Sequence, residues 1–210
     1  MIATIDIPKA GRREIQKEAR RSAIIDAALE AFIAQGFIAT KLDDVAERAG
    51  IGKGTIYLYF DSKENLFEEV VRSNLFPVRD AAETRLVTHT GSAASLLDEH
   101  FRNVYLAMNL PRMPSLMQMI LSEGMRFPAI NRFFYNEIIL PSQRMLRTII
   151  QRGIDSGEFR SDAGELFPQL LTSPALLGSI WNLQFRDHAP LDLERYMQSH
   201  IAFVLHALRP

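Results

Sequence analysis

The residues best suited to chemistry with a partner lie between Thr40 and Lys63, in the stretch TKLDDVAERAGIGKGTIYLYFDSK. Thr40, Thr55, Tyr57 and Tyr59 offer hydroxyls, Lys53 and Lys63 carry cations, and Gly54 leaves room for a close backbone approach. That set suits an anionic polymer rich in hydrogen-bonding groups: such side chains contact phosphate oxygens, and the same groups reach base edges in a groove. Their spacing is that of two short helices joined by a glycine turn. In a helix-turn-helix of this kind the second helix enters the DNA major groove.

The elements that must position these residues are legible around them. Thr40 stands where a helix should begin, with Asp43 three positions on, a capping-box pattern. Leu42, Val45, Ala46 and Ala49 then form one apolar stripe, and the small Ala46 allows a second helix to cross closely. Gly50 supplies a left-handed end, Ile51 plugs the corner and Gly52 frees the chain for a new start. In the second helix, over 53–59, Ile56 and Phe60 face inward, which leaves Lys53, Gly54, Thr55, Tyr57 and Tyr59 outside. Tyr57 and Tyr59 cannot both face the core from two positions apart. A glycine near a helix start costs about 1 kcal/mol against alanine, a cost consistent with backbone lying against a phosphate or base edge. Asp61 or Ser62 caps the next helix. Lys63, in its first turn, opposes the helix dipole, and a phosphate partner would account for it. Thr40, Tyr59 and Lys63 are therefore expected on phosphates, and Lys53, Thr55 and Tyr57 at base edges. GIGKGT is not a nucleotide-binding loop, because it lacks the GxxxxGK[ST] order and follows no strand pattern.

The segment resembles the DNA-binding domain of the tetracycline-repressor (TetR) family. The likeness is carried by Phe32 to Gly36, Thr40, Val45-Ala46, Ala49-Gly50-Ile51, Gly54-Thr55-Ile56-Tyr57, Tyr59-Phe60 and Lys63-Glu64 with Leu66, and covers roughly residues 20 to 70. Gly52 departs from it, since the family more often has a polar cap such as Ser there, and His is also frequent at the position of Tyr59. The resemblance implies an N-terminal DNA-binding domain, here 1–70, and a larger helical ligand-binding and dimerisation domain, here 71–210. It also implies a homodimer on a palindromic operator, released by a small-molecule effector.

Composition agrees with an ordinary globular chain: 210 residues, 47% hydrophobic and 23% charged. No apolar run nears the roughly 20 residues of a membrane helix, and the charged N-terminus leaves no signal-peptide core. With no cysteine, disulfides are excluded, and a cytoplasmic protein is expected. The net charge is only −1, yet Lys9, Arg12, Arg13, Lys17, Arg20 and Arg21 face only Glu14 and Glu18 in one N-terminal arm. That arm could reach phosphate or stay solvated. Helical patterns cover about 13–35, 41–48, 53–59, 62–85, 92–109, 113–125, 128–155, 163–186 and 191–208. The expected fold is all-α, with about nine helices, the domain boundary falling within the fourth.

Beyond residue 76 the patterns are less specific. Leu97, Phe101, Val104 and Met108 form a stripe, as do Met113, Leu116, Met117 and Ile120. Five of the eight methionines lie between Met108 and Met125, and methionine suits adaptable binding surfaces. By analogy with the family, Phe101, Tyr105, Met117, Phe134 and Trp181 are expected to line an effector pocket, with Glu123 at the surface or facing a cation. In the ninth helix Leu193, Met197, Ile201, Val204 and Leu208 form one apolar side, and Tyr196, Phe203 and Ala207 another. The eighth has Leu170, Leu177, Trp181 and Phe185, beside the small Ala175 and Gly178, and should kink at Pro174. The last two helices are thus expected to pair with a second copy. Neither cofactor nor metal is implied: His200 and His206, six apart, do not share a face, and HExxH, GxSxG and GxGxxG are absent, so no enzymatic activity is expected. A transcriptional activator with the same DNA module, or a helical carrier with a vestigial one, are the competing readings.

Overall fold

The computed structural model describes the backbone from Lys9 and the side chains from Arg13, through to Pro210. Helix α1 spans Lys9–Ala39, α2 Leu42–Arg48, α3 Lys53–Ile56, α4 Lys63–Thr88, α5 Ala93–Met108 and α6 Met113–Gly124. α7 is built from Pro128–Phe134, a π-helical turn at Tyr135–Ile139 and Leu140–Asp155, which follow one another without a break. After a 3-10 turn at Ala163–Glu165 come α8, Pro168–Phe185, and α9, Leu193–Leu208. The fold is all-α, and the described residues include no strand. Two compact units meet between Ser73 and Asn74, inside α4.

In the first unit three phenylalanines form the centre. The rings of Phe32, Phe37 and Phe67 lie 5.3–5.7 Å apart, pairwise tilted or edge-on, the arrangement aromatic quadrupoles favour. Ile24, Ile56, Phe60 and Val70 close around them, fully buried or nearly so. By length and composition the stretch Arg13–Ala39 is apolar enough to cross a membrane. In the fold, Ile24, Ile25, Ala28, Leu29 and Phe32 instead spend that apolarity on the core.

The second unit packs α5, α7, α8 and α9 around Leu97, Phe101, Leu146, Ile149, Ala175 and Ile201. Proline explains the irregularity of α7. Pro141 has no N–H, so the Glu137 carbonyl one turn earlier loses its helical donor. The chain widens into the π turn there, and Arg79 Nη1 donates to the Glu137 carbonyl at 3.2 Å. α8, in contrast, runs through Pro174 as one helix.

α5 begins at a built cap. Ser92 Oγ accepts from the Ser95 N–H at 3.0 Å, and the two oxygens of Glu158 accept from the N–H groups of Ala93 and Ala94, each at 3.0 Å. These backbone bonds, Ala94 foremost, hold the Glu158 carboxyl below the usual glutamate range. A carboxylate with a depressed folded pKa contributes stability above its unfolded pKa, about 4.3, and that contribution is lost as pH falls through the lower folded value. Glu158→Gln is accordingly expected to lower the thermal midpoint at neutral pH and to shrink the gap from wild type as the medium is acidified. Melting curves followed by circular dichroism from roughly pH 7 to pH 3 check this.

Candidate DNA-reading surface

α2 ends in a complete left-handed cap. Gly50 takes φ 66°, the Gly50 N–H donates to the Glu47 carbonyl at 3.1 Å, and the Ile51 N–H reaches back to Ala46 at 3.0 Å. This double bond pattern settles two of the orphan carbonyls. It also turns the chain sharply into α3. α3 has only four helical residues, because the Leu58 and Tyr59 N–H groups bond three residues back, to Thr55 and Ile56, and tighten the last turn. Ile56 and Phe60 anchor this turn in the core, at 0% and 1% exposure.

What remains outside is a small polar and aromatic face. Lys53, Gly54 and Tyr57 are exposed, and Thr55 and Tyr59 are half-buried. Lys53 Nζ reaches back to α2, 3.0 Å from Asp43 Oδ2. That hydrogen bond and the Asp43 charge raise the lysine's pKa, so it remains a cation at neutral pH. Leu58, 82% exposed, is a further member of this face. Its signal was present in the sequence: it lies two positions from both Ile56 and Phe60, hence opposite the buried side.

Two of the residues expected at phosphates have partners within the chain. Thr40 is 1% exposed; its hydroxyl donates to the Gly36 carbonyl at 2.7 Å and receives Gln35 Nε2 at 3.3 Å. It therefore closes the end of α1, where Gly36 breaks the helix at φ 81°. The cap of α2 sits one residue later than Thr40 and Asp43 suggest: the Lys41 N–H donates to Asp44 Oδ2 at 3.2 Å.

Lys63 is engaged within the chain as well. Its ammonium donates to the carbonyls of Phe37 at 2.6 Å, Ile38 at 3.0 Å and Thr40 at 2.9 Å, and lies 4.5 Å from the centre of the Phe37 ring. An ammonium has three protons to donate, and three carbonyls receive them. The misfit between Lys63 and its own helix dipole is met within the chain by the carbonyls at the C-terminal end of α1.

In the basic arm, Arg21 is likewise taken up, paired with Glu69 and stacked over Phe60. Arg13, Lys17 and Arg20 are exposed. The side chains of Lys9 and Arg12 lie outside the described residues.

In the second unit, a cavity of about 120 Å³ is walled by Leu75, Val78, Arg79 and Ala82 from α4, His100, Val104, Ala107 and Met108 from α5, and Ile138, Ser142 and Met145 from α7. None of the five residues expected to line an effector pocket belongs to that wall. Phe101 and Tyr105 sit on the other side of α5, packed against α9, with the Tyr105 hydroxyl and His200 Nδ1 hydrogen-bonded at 3.2 Å. Met117 and Phe134 are buried at 6% and 5% exposure. Trp181 is on the outside of α8, donating to the Ala189 carbonyl at 2.8 Å. Val104 and Met108, which share the stripe with Phe101 in the sequence, are the ones that face the cavity. Glu123 is half-buried, and its Oε2 is enclosed without a hydrogen-bond partner.

A three-helix unit presenting a short second helix, joined to a larger helical body, defines a helix-turn-helix regulator. The comparisons with known proteins agree. Residues 24–70 match the bacterial regulatory proteins of the tetR family, and residues 87–195 match the tetracyclin repressor-like C-terminal domain. The chain belongs to the TetR family of transcriptional regulators. The HTH-type transcriptional repressor KstR2 of Rhodococcus jostii is 26% identical over 194 residues, covering 91% of this chain and 92% of the relative. Among solved structures, the transcriptional regulator FadR of Bacillus subtilis in complex with stearoyl-CoA has a TM-score of 0.75 at 20% identity, covering 90% of this chain and 99% of the other. A regulator from Saccharomonospora viridis in complex with choline gives 0.74 at 20% identity, covering 92% and 99%. At that level of identity the likeness is one of fold.

Lys63 separates the two roles experimentally. Lys63→Met keeps the stem and removes three charge-assisted bonds, so it is expected to destabilise the chain by about 1–3 kcal/mol. Urea denaturation checks this. Unchanged stability, with a smaller salt dependence of DNA binding, would restore Lys63 to the phosphate contacts.

Proposed function

We propose that the chain is a ligand-released repressor that binds a palindromic operator as a homodimer, each copy placing α3 in a major groove. The carrying observation is the outward face of the α3 turn. Lys53, Gly54, Tyr57 and Leu58 are held in solvent while Ile56 and Phe60 pin the turn from behind. Tyr57, Lys53 and Thr55 are assigned to base edges, Leu58 to an apolar contact such as a thymine methyl, and Tyr59 to phosphate. Domains at 1–70 and 71–210 describe the same division of labour, reading head and effector-binding body. The KstR2 relatives, named repressors, support repression over activation.

The dimer reading rests on apolar surface. α8 exposes Leu170, Leu177, Trp181 and Phe185, and α9 exposes Phe203 at 74%. A patch of this kind marks an interaction surface, and two-fold pairing of the last two helices would cover it. Ile201 and Val204 are each 3% exposed and belong to the subunit's own core, so charges there test folding rather than association. The effector is assigned to the second unit, whose cavity is mostly apolar; the FadR and Saccharomonospora structures hold stearoyl-CoA and choline, and support a ligand-binding role for this body. Effector binding would favour a spacing of the two heads that no longer fits the operator.

Selection of bound DNA from a random pool is expected to yield an inverted repeat. Tyr57→Ala should then change preference at a base position by about 1–3 kcal/mol, and a pool with no enriched repeat would defeat the reading. Leu177→Arg combined with Phe203→Glu should leave the fold intact and give a monomer in sedimentation. A wild-type chain that is already monomeric at micromolar concentration overturns the dimer.

A further inference from the structure

The cavity between α4, α5 and α7 is lined by apolar side chains except for Arg79, His100 and Ser142. Arg79 is already occupied. Its guanidinium pairs with Asp80 at 2.9 Å, donates to the Glu137 carbonyl at 3.2 Å and stacks 3.8 Å from the centre of the Phe76 ring. His100 is not. The residue is 6% exposed, forms part of the cavity wall, and its Nε2 is enclosed with no hydrogen-bond partner. Folded proteins pair their buried polar atoms almost without exception, so one left over beside a cavity calls for a partner that the chain does not supply.

We propose that this cavity takes an uncharged ligand with a compact apolar body and one hydrogen-bonding oxygen, and that His100 Nε2 is the partner of that oxygen. The inference rests on the reading of the second unit as an effector-binding body. Its specific content is the chemistry of the ligand and the residue that recognises it.

Charge selects the class. Burial, helped by the Arg85 charge, pushes the His100 pKa down to about 4, so the imidazole is neutral at physiological pH and gives a carboxylate no ion pair. Arg85 is itself bonded to Glu99 at 3.1 Å, and Arg79 is balanced by Asp80 with Glu137 3.6 Å away. A cationic ligand finds no carboxylate in the wall. A neutral imidazole either donates or accepts at Nε2, according to its tautomer, so a ketone, alcohol or phenol oxygen can be met. Volume selects the size. About 120 Å³ is somewhat below the roughly 150 Å³ of a dry cavity known to admit benzene, so the space matches a single six-membered ring once side chains adjust, and that adjustment must also uncover the enclosed Nε2.

Phenol and benzene, equal in shape apart from the hydroxyl, are the probes. Calorimetry with the full chain gives the ratio of their affinities. His100→Leu is expected to reduce the preference for phenol over benzene by about tenfold, the size of one hydrogen bond to a buried group. Phenol, and not benzene, should also shift the Nε2 nitrogen resonance of His100 in the wild-type protein, a readout that needs no variant to fold. A ratio untouched by His100→Leu, an Nε2 resonance indifferent to phenol, or benzoate binding more tightly than phenol overturns the proposal. Phenol binding as expected without loosening DNA counts against the effector reading alone. Release of DNA by compounds that leave the His100 resonance unmoved keeps that reading and removes this site.

Discussion

The end of α1 is where the DNA-reading unit is held together. The end of a helix leaves carbonyls without intrahelical donors, and donors that cover them stabilise the chain. Here Gly36 breaks the helix, Thr40 covers the Gly36 carbonyl, and Lys63 covers those of Phe37, Ile38 and Thr40. Because Lys63 opens α4 and Thr40 precedes α2, one set of bonds fixes the end of one helix and the starts of two others. The Phe32, Phe37 and Phe67 rings pack against the same corner. Thr40 leads directly into α2, and Gly50, at φ 66°, then sets the bend into α3.

How much of this was legible in the sequence depends on whether the cause is local. The glycine turn, the inward Ile56 and Phe60, and the outward Lys53 and Tyr57 all follow from spacing within one or two turns, and their places were readable. The internal partners of Thr40 and Lys63 were not. Both are polar residues at helix starts, where a ligand and an internal carbonyl make the same demand on sequence. The deciding acceptors lie 23 to 26 residues away for Lys63. Arg21, bonded to Glu69, escaped for the same reason. Long-range pairing of a cation with backbone leaves no periodic trace.

The second unit shows a different limit. The stripe Leu97, Phe101, Val104 and Met108 reads as one apolar face of α5, but it is wide enough to serve two neighbours. Phe101 and Tyr105 go to the core with α9, while Val104 and Met108 turn to the cavity with α4 and α7. Amphipathic pattern tells which residues leave water; it does not tell which side of a helix meets packing and which meets space. His100 gave even less sign, since a lone histidine on a helix is usually satisfied by its surroundings. What distinguishes it is an unpaired nitrogen on a residue of the cavity wall.

Electrostatics constrain how such a chain can hold DNA. The reading face is not a field of cations: Lys53 is paired with Asp43, and Asp44 and Glu47 lie near enough to raise its pKa further. Arg48 is bonded to Glu30 and Arg21 to Glu69. Affinity from phosphate neutralisation grows with the number of cations brought to the backbone; α3 itself offers Lys53, while the exposed Arg13, Lys17 and Arg20 lie on α1. Discrimination between sequences, in contrast, needs only a few well-placed groups. A second head linked to the first raises affinity through effective concentration, without adding charge to either. The proposed dimer fits a weakly cationic, short reading helix, since under that proposal a second head supplies the affinity that one head lacks.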